Sequence, residues 1–129
     1  MTSKLALTQK LRELYARGEN LAAYLRSLDH ASRNTVEDIM LSYDFQAGSY
    51  IAAYEQNPRY LEDYTDALAT VIRGLGSCES ILEVGVGEAT TFTLLAGKMP
   101  AGLAWWGFDI SWSRIRLGQE FAARRGPPG

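Results

Sequence analysis

Ile81-Leu82-Glu83-Val84-Gly85-Val86-Gly87-Glu88-Ala89-Thr90 is the stretch on which the reading of this chain turns. Its first four residues suit a buried parallel strand, and two glycines follow at once. From Thr90 to Lys98, Phe92, Leu94 and Leu95 give the apolar pattern of a short helix. Glycines belong at such a junction because the backbone turns sharply there and a ligand approaches it closely. A helix beginning beyond the turn offers unpaired N–H groups and the positive end of its dipole. Two cofactor classes use this geometry. The dinucleotide fingerprint is G-x-G-x-x-G; Gly85 and Gly87 supply its first two glycines, but Thr90 stands at the third. Glu83 also lies two places before the first glycine, where dinucleotide sites favour no acid.

Downstream, Met99-Pro100-Ala101-Gly102 reads as a turn, Leu103 to Asp109 as a second strand, and Ser111 to Arg125 as a second helix with Ile115, Leu117 and Phe121 apolar. Strand, helix, strand, helix is the order of parallel α/β structure. The two strands are expected side by side and parallel. Trp105 and Trp106 point to opposite faces of one strand, and both are expected in a core covered by helices on each side. Asp109 lies 22 residues after Gly87 (109 − 87), where a ribose-binding acid is found roughly 20 residues beyond the glycine turn. A carboxylate there can accept hydrogen bonds from two vicinal hydroxyls.

Upstream, residues 1–76 read as helical. Ser3 caps a helix with Leu7, Leu11, Leu14 and Tyr15 apolar, ended by Gly18. Glu19 to Leu28 forms a second, with Leu21, Leu25 and Leu28 at spacings of three and four. Asn34 or Thr35 opens a third, with Val36, Ile39, Met40 and Tyr43 on its apolar side. Gly48 breaks or bends the chain before a further short helix over Ser49 to Gln56. Asn57-Pro58 starts the last, expected to bury Leu61, Tyr64, Leu68, Val71 and Ile72 and to stop at Gly74 or Gly76. The expected division is a helical segment over 1–76, an α/β segment over 77–125 and a tail over 126–129.

Composition sets the outer bounds. The 129 residues are 47% hydrophobic and 22% charged with a formal net charge of −2, an ordinary globular balance. That charge argues against a nucleic-acid face built on bulk basicity. No apolar run approaches the roughly 18–20 residues that span a bilayer, and the first residues lack the h-region of a secretory signal. With Cys78 as the one cysteine, a reducing, cytoplasmic setting is the expectation. No Cys, His and Asp cluster has metal-ligand spacing, so no metal is expected. His30 and Cys78 read as a surface residue and an inert one.

The central segment resembles motif I of class I S-adenosylmethionine-dependent methyltransferases, hydrophobic-hydrophobic-[E/D]-x-G-x-G-x-G. Ile81, Leu82, Glu83, Gly85 and Gly87 match it, and Ala89 replaces the third glycine. Gly107-Phe108-Asp109-Ile110-Ser111 resembles the family's next motif, an acid ending the second strand. The resemblance covers about residues 80 to 122. It implies a Rossmann-like sheet, with S-adenosyl-L-methionine as cofactor and methyl transfer as the activity. It implies that Gly85 and Gly87 admit the methionine part, that Glu83 lies under its charged amino-acid end, that Asp109 holds the ribose, and that Ile110 lies beside the adenine. Tyr43-Asp44-Phe45-Gln46-Ala47-Gly48-Ser49-Tyr50 looks like the Tyr-Asp lid segment of several small-molecule methyltransferases, which adds Tyr43 and Tyr50 as cofactor contacts. A helical cap of this kind suits a small-molecule acceptor.

The family sheet has seven strands in order 3-2-1-4-5-7-6, and only the first two are matched here. The expectation is therefore a truncated domain, with no nameable catalytic residue, poor cofactor binding by itself, and self-association through open sheet edges. Two alternatives stand beside it: a non-catalytic cofactor-binding or interaction module, and a fragment of an NAD(P)-dependent oxidoreductase.

Overall fold

The computed structural model describes residues 3–125. They form a mixed α/β, mostly helical chain of seven helices and two parallel strands, which divides into two compact units between Gln46 and Ala47.

The first unit holds α1 (Lys4–Ala16), α2 (Leu21–Leu28) and α3 (Val36–Phe45). Each helix starts on a side-chain cap. Ser3 Oγ accepts from Ala6 N at 3.1 Å and Asn20 Oδ1 from Ala23 N at 3.0 Å. Thr35 and Asp38 form a reciprocal capping box. Leu11, Leu14, Leu21 and Leu25 are buried together, with Leu41 and Phe45 of α3 packed against them. The apolar side expected for α3 is therefore not its inner side. Val36 and Tyr43 are exposed, whereas Asp38 and Ser42 are buried. Their burial costs little, because the Asp38 carboxylate accepts from Thr35 N and Ser42 Oγ donates to Asp38 O at 2.6 Å.

The second unit holds α4 (Ser49–Gln56), α5 (Pro58–Gly74), β1 (Ser80–Val84), α6 (Thr90–Ala96), β2 (Ala104–Phe108) and α7 (Trp112–Arg125). It begins at Ala47, ahead of the division at residue 76 read from the sequence, and α4 and α5 pack with the helices that flank the strands. Ile51 and Tyr54 of α4 and Leu61 of α5 share one apolar cluster with Leu94, Leu117 and Phe121. The Tyr54 and Phe121 rings meet edge-on at 5.8 Å. Lys98, just past α6, is tied back to α5 by Asp66 at 2.6 Å and Glu62 at 3.2 Å. On α5 the inner residues are Thr65 and Ala69, and the expected Tyr64 and Val71 are exposed. Thr65 can be buried because its hydroxyl donates to Leu61 O at 2.8 Å.

The strands β1 and β2 pair in parallel, Ser80 opposite Ala104 and Val84 opposite Phe108. One face is covered, with Trp105 edge-on against Phe92 of α6 at 5.3 Å. The other is not. Leu82, Val84, Trp106 and Phe108 are 59%, 69%, 64% and 53% exposed, so Trp106 is not the core residue the sequence predicts. Among the described residues no helix is long and apolar enough to cross a membrane.

Candidate functional site

The glycine turn is anchored to the end of the neighbouring strand by backbone bonds. Phe108 O accepts from both Gly85 N at 2.9 Å and Val86 N at 3.0 Å. Gly85 and Gly87 take φ of +74° and +55°, a left-handed backbone that glycine adopts without a Cβ penalty. Ala89, in the place of the third glycine, also has a positive φ of 54°. The alanine thus holds the conformation glycine would, at a cost of about 1–2 kcal/mol. Gly118 of α7 passes so close that a Cβ there would lie 3.0 Å from the Glu88 carbonyl carbon.

Asp109 completes the turn. Its Oδ2 accepts from Gly87 N at 2.9 Å and its Oδ1 from Ser111 N at 2.8 Å. The predicted ribose acid is therefore also the clamp between the glycine turn and the start of α7. A carboxylate has about four acceptor positions, so two bonds leave room for a ligand's hydroxyls.

Beside the turn lies a cleft of about 150 Å³, walled by Tyr50, Glu83, Gly85, Gly87, Thr91 and Arg114 among others. Sites for drug-sized ligands run roughly 300–1,000 Å³, so this cleft suits one end of a ligand. Glu83 is half-buried, and its carboxylate makes no hydrogen bond or ion pair among the described residues. Burial alone pushes its carboxyl above the ordinary value. α6 is only seven residues long, shorter than the predicted Thr90 to Lys98 helix, and the charged groups lining the cleft are Glu83, Glu88 and Arg114.

Of the predicted contacts, Glu83, Gly85, Gly87 and Tyr50 line this one cleft, and Asp109 is bonded to its glycine turn. Ile110 is exposed beyond β2 and does not line it. Tyr43 stands on α3 in the first unit. Two charged lining residues escaped the sequence reading. Glu88 is 2% exposed, with Oε1 accepting from Gly48 N and Oε2 from Ile51 N, each at 2.9 Å. Arg114, 6% exposed, sets its guanidinium carbon 4.9 Å from the Tyr50 ring centre and its Nε 3.9 Å from Glu88 Oε1. Comparison of the chain with protein-family models, with curated proteins and with solved structures finds no match.

Proposed function

We propose that this chain carries the methionine and ribose half of an S-adenosylmethionine site, built on the first strands of a Rossmann-like class I methyltransferase domain, and that methyl transfer to a small-molecule acceptor is the activity it serves. The observation that carries this reading is Glu83: a half-buried acid at the end of β1, without a polar partner among the described residues, lining a cleft beside a glycine turn. Such a group is stabilised by a cation brought in by a ligand. The ammonium of the cofactor's amino-acid end is one. Gly85 and Gly87 leave the backbone open to close approach. Asp109 keeps acceptor positions for ribose hydroxyls while fixing the turn. When bound, the cofactor supplies a methyl group on a sulfonium. The chain's own residues bind and orient it, and transfer in this setting requires an acceptor held in line.

Thermal unfolding with added ligand tests the proposal. Because the cleft of about 150 Å³ encloses only one end of such a ligand, S-adenosylhomocysteine is expected to bind at about millimolar Kd. Ten millimolar would then stabilise the chain by about 1.4 kcal/mol. NAD is expected to give no shift, and Glu83→Gln to abolish the effect. Equal stabilisation by NAD would turn the reading toward a dinucleotide site; no shift with either ligand would leave an interaction module.

A further inference from the structure

Glu88 is the most buried acid of the second unit, yet nothing in the proposed cofactor contacts uses it. Both of its oxygens are spent on backbone. Oε1 accepts from Gly48 N and Oε2 from Ile51 N, and these two amides bracket Ser49 and Tyr50. Gly48, at a φ of +98°, gives the chain the left-handed bend that starts α4 on this carboxylate. A second route runs through side chains. The Arg114 guanidinium lies near Glu88 on one side and over the Tyr50 ring on the other. The backbone and the ring of Tyr50 are thus both referred to one carboxylate, and that carboxylate belongs to the glycine turn. A buried ion pair is a weak source of stability compared with apolar packing of similar volume. What this arrangement supplies is a fixed geometry between Tyr50 and the turn.

We propose that Glu88 is a positioning residue that holds Tyr50 in place as the aromatic wall of the cleft, so that the two act as one unit in ligand binding. The ligand part rests on the S-adenosylmethionine reading; the coupling between Glu88 and Tyr50 does not. Glutamine at 88 would turn an N–H donor toward one of two backbone donors, which breaks one of the two bonds while keeping the volume.

A double-mutant cycle on the full chain tests this, with Glu88→Gln, Tyr50→Ala and the pair. Two readouts are taken, urea unfolding without ligand and S-adenosylhomocysteine affinity by calorimetry. Tyr50→Ala is expected to weaken binding about tenfold in the parent and less than twofold once Glu88→Gln is present. The unfolding constants should show a coupling of at least threefold. Additive effects in both readouts would make Glu88 a structural buttress and overturn the proposal. If the parent binds no S-adenosylhomocysteine, the cofactor reading fails, and the unfolding cycle alone decides the positioning role. Should Glu88→Gln not fold, Arg114→Met, which cuts the side-chain route and keeps both backbone bonds to Glu88, takes its place in the cycle with the same expectation.

Discussion

Glu83 and Asp109 are both acids at strand ends, and their surroundings separate them. Glu83 has burial without a partner, so its carboxyl titrates above the ordinary 4.5. Between that value and its raised native one, the folded chain keeps a proton that the unfolded chain has released. Stability therefore falls as pH rises through this window and does not return above it. Glu83→Gln should remove that decline and give a protein more stable than the parent above the window. Urea unfolding of both between about pH 4 and pH 8 measures the difference; parallel curves would remove Glu83 as a strained acid. Asp109 has partners where Glu83 has none among the described residues, with two backbone N–H groups on its oxygens. Its removal is not neutral for the fold, as a purely ribose-binding role would imply. Asp109→Ala is expected to lower stability by about 1–3 kcal/mol, since hydrogen bonds to a charged acceptor are worth about 1.5–3 kcal/mol each and water recovers part. It should also weaken S-adenosylhomocysteine binding. Urea denaturation and calorimetry report the two effects separately, and an unchanged unfolding midpoint would contradict the clamp.

At the scale of elements, α7 is seated on the glycine turn through Gly118. Alanine there would gain about 1 kcal/mol of helix propensity but drive a Cβ to 3.0 Å from the Glu88 carbonyl carbon and 3.1 Å from Ala89 Cβ. Overpacking of that kind costs about 1–3 kcal/mol. Gly118→Ala should therefore lower the unfolding midpoint and loosen the turn that shapes the cleft; a midpoint raised by the propensity gain would show that α7 has room to shift. The features legible in the sequence are the local ones. The β1 strand, its glycines and the acid at the end of β2 are set by residues within a few positions of one another, and the caps at Ser3 and Thr35 and the proline at Pro58 announce three helix starts at their own positions. The features that were not legible depend on distant partners. The inner faces of α3 and α5 are chosen by what they pack on, which an apolar stripe alone does not reveal. Glu88 finds its donors 40 and 37 residues away, and nothing adjacent to it in sequence marks that use. The same long-range packing, through Ile51, Tyr54 and Leu61, draws α4 and α5 into the second unit.

At the scale of the molecule, the uncovered face of the sheet is a large apolar surface among the described residues. Its residues are Ser80, Leu82 and Val84 of β1 and Ala104, Trp106 and Phe108 of β2, none of them charged. Large side chains carry 150–250 Å² each, so at the observed exposures the face shows on the order of 500 Å² of apolar area, at the upper end of what a single monomer patch displays. Both outer strand edges are also unpaired among the described residues, and a two-stranded sheet is marginal by itself. A stable interface needs roughly 800 Å² from each partner, more than this face alone supplies; Trp112 and Ile110 are also exposed just past β2. The occupant these features favour is a second copy of the same face, because an uncharged surface meets itself without repulsion and a two-fold pair would cover both sheets at once. The chain is therefore expected to be dimeric or larger at about 100 μM by light scattering, with tryptophan emission shifting to shorter wavelength as concentration rises. Trp106→Lys should return it to a monomer, since a buried unpaired charge costs several kcal/mol. The other apolar stripe, on α5, supplies the control: Tyr64→Lys should leave the association unchanged. If Tyr64→Lys breaks it and Trp106→Lys does not, the contact runs through α5. A parent chain that stays monomeric at that concentration would mean that the open sheet face is tolerated in water.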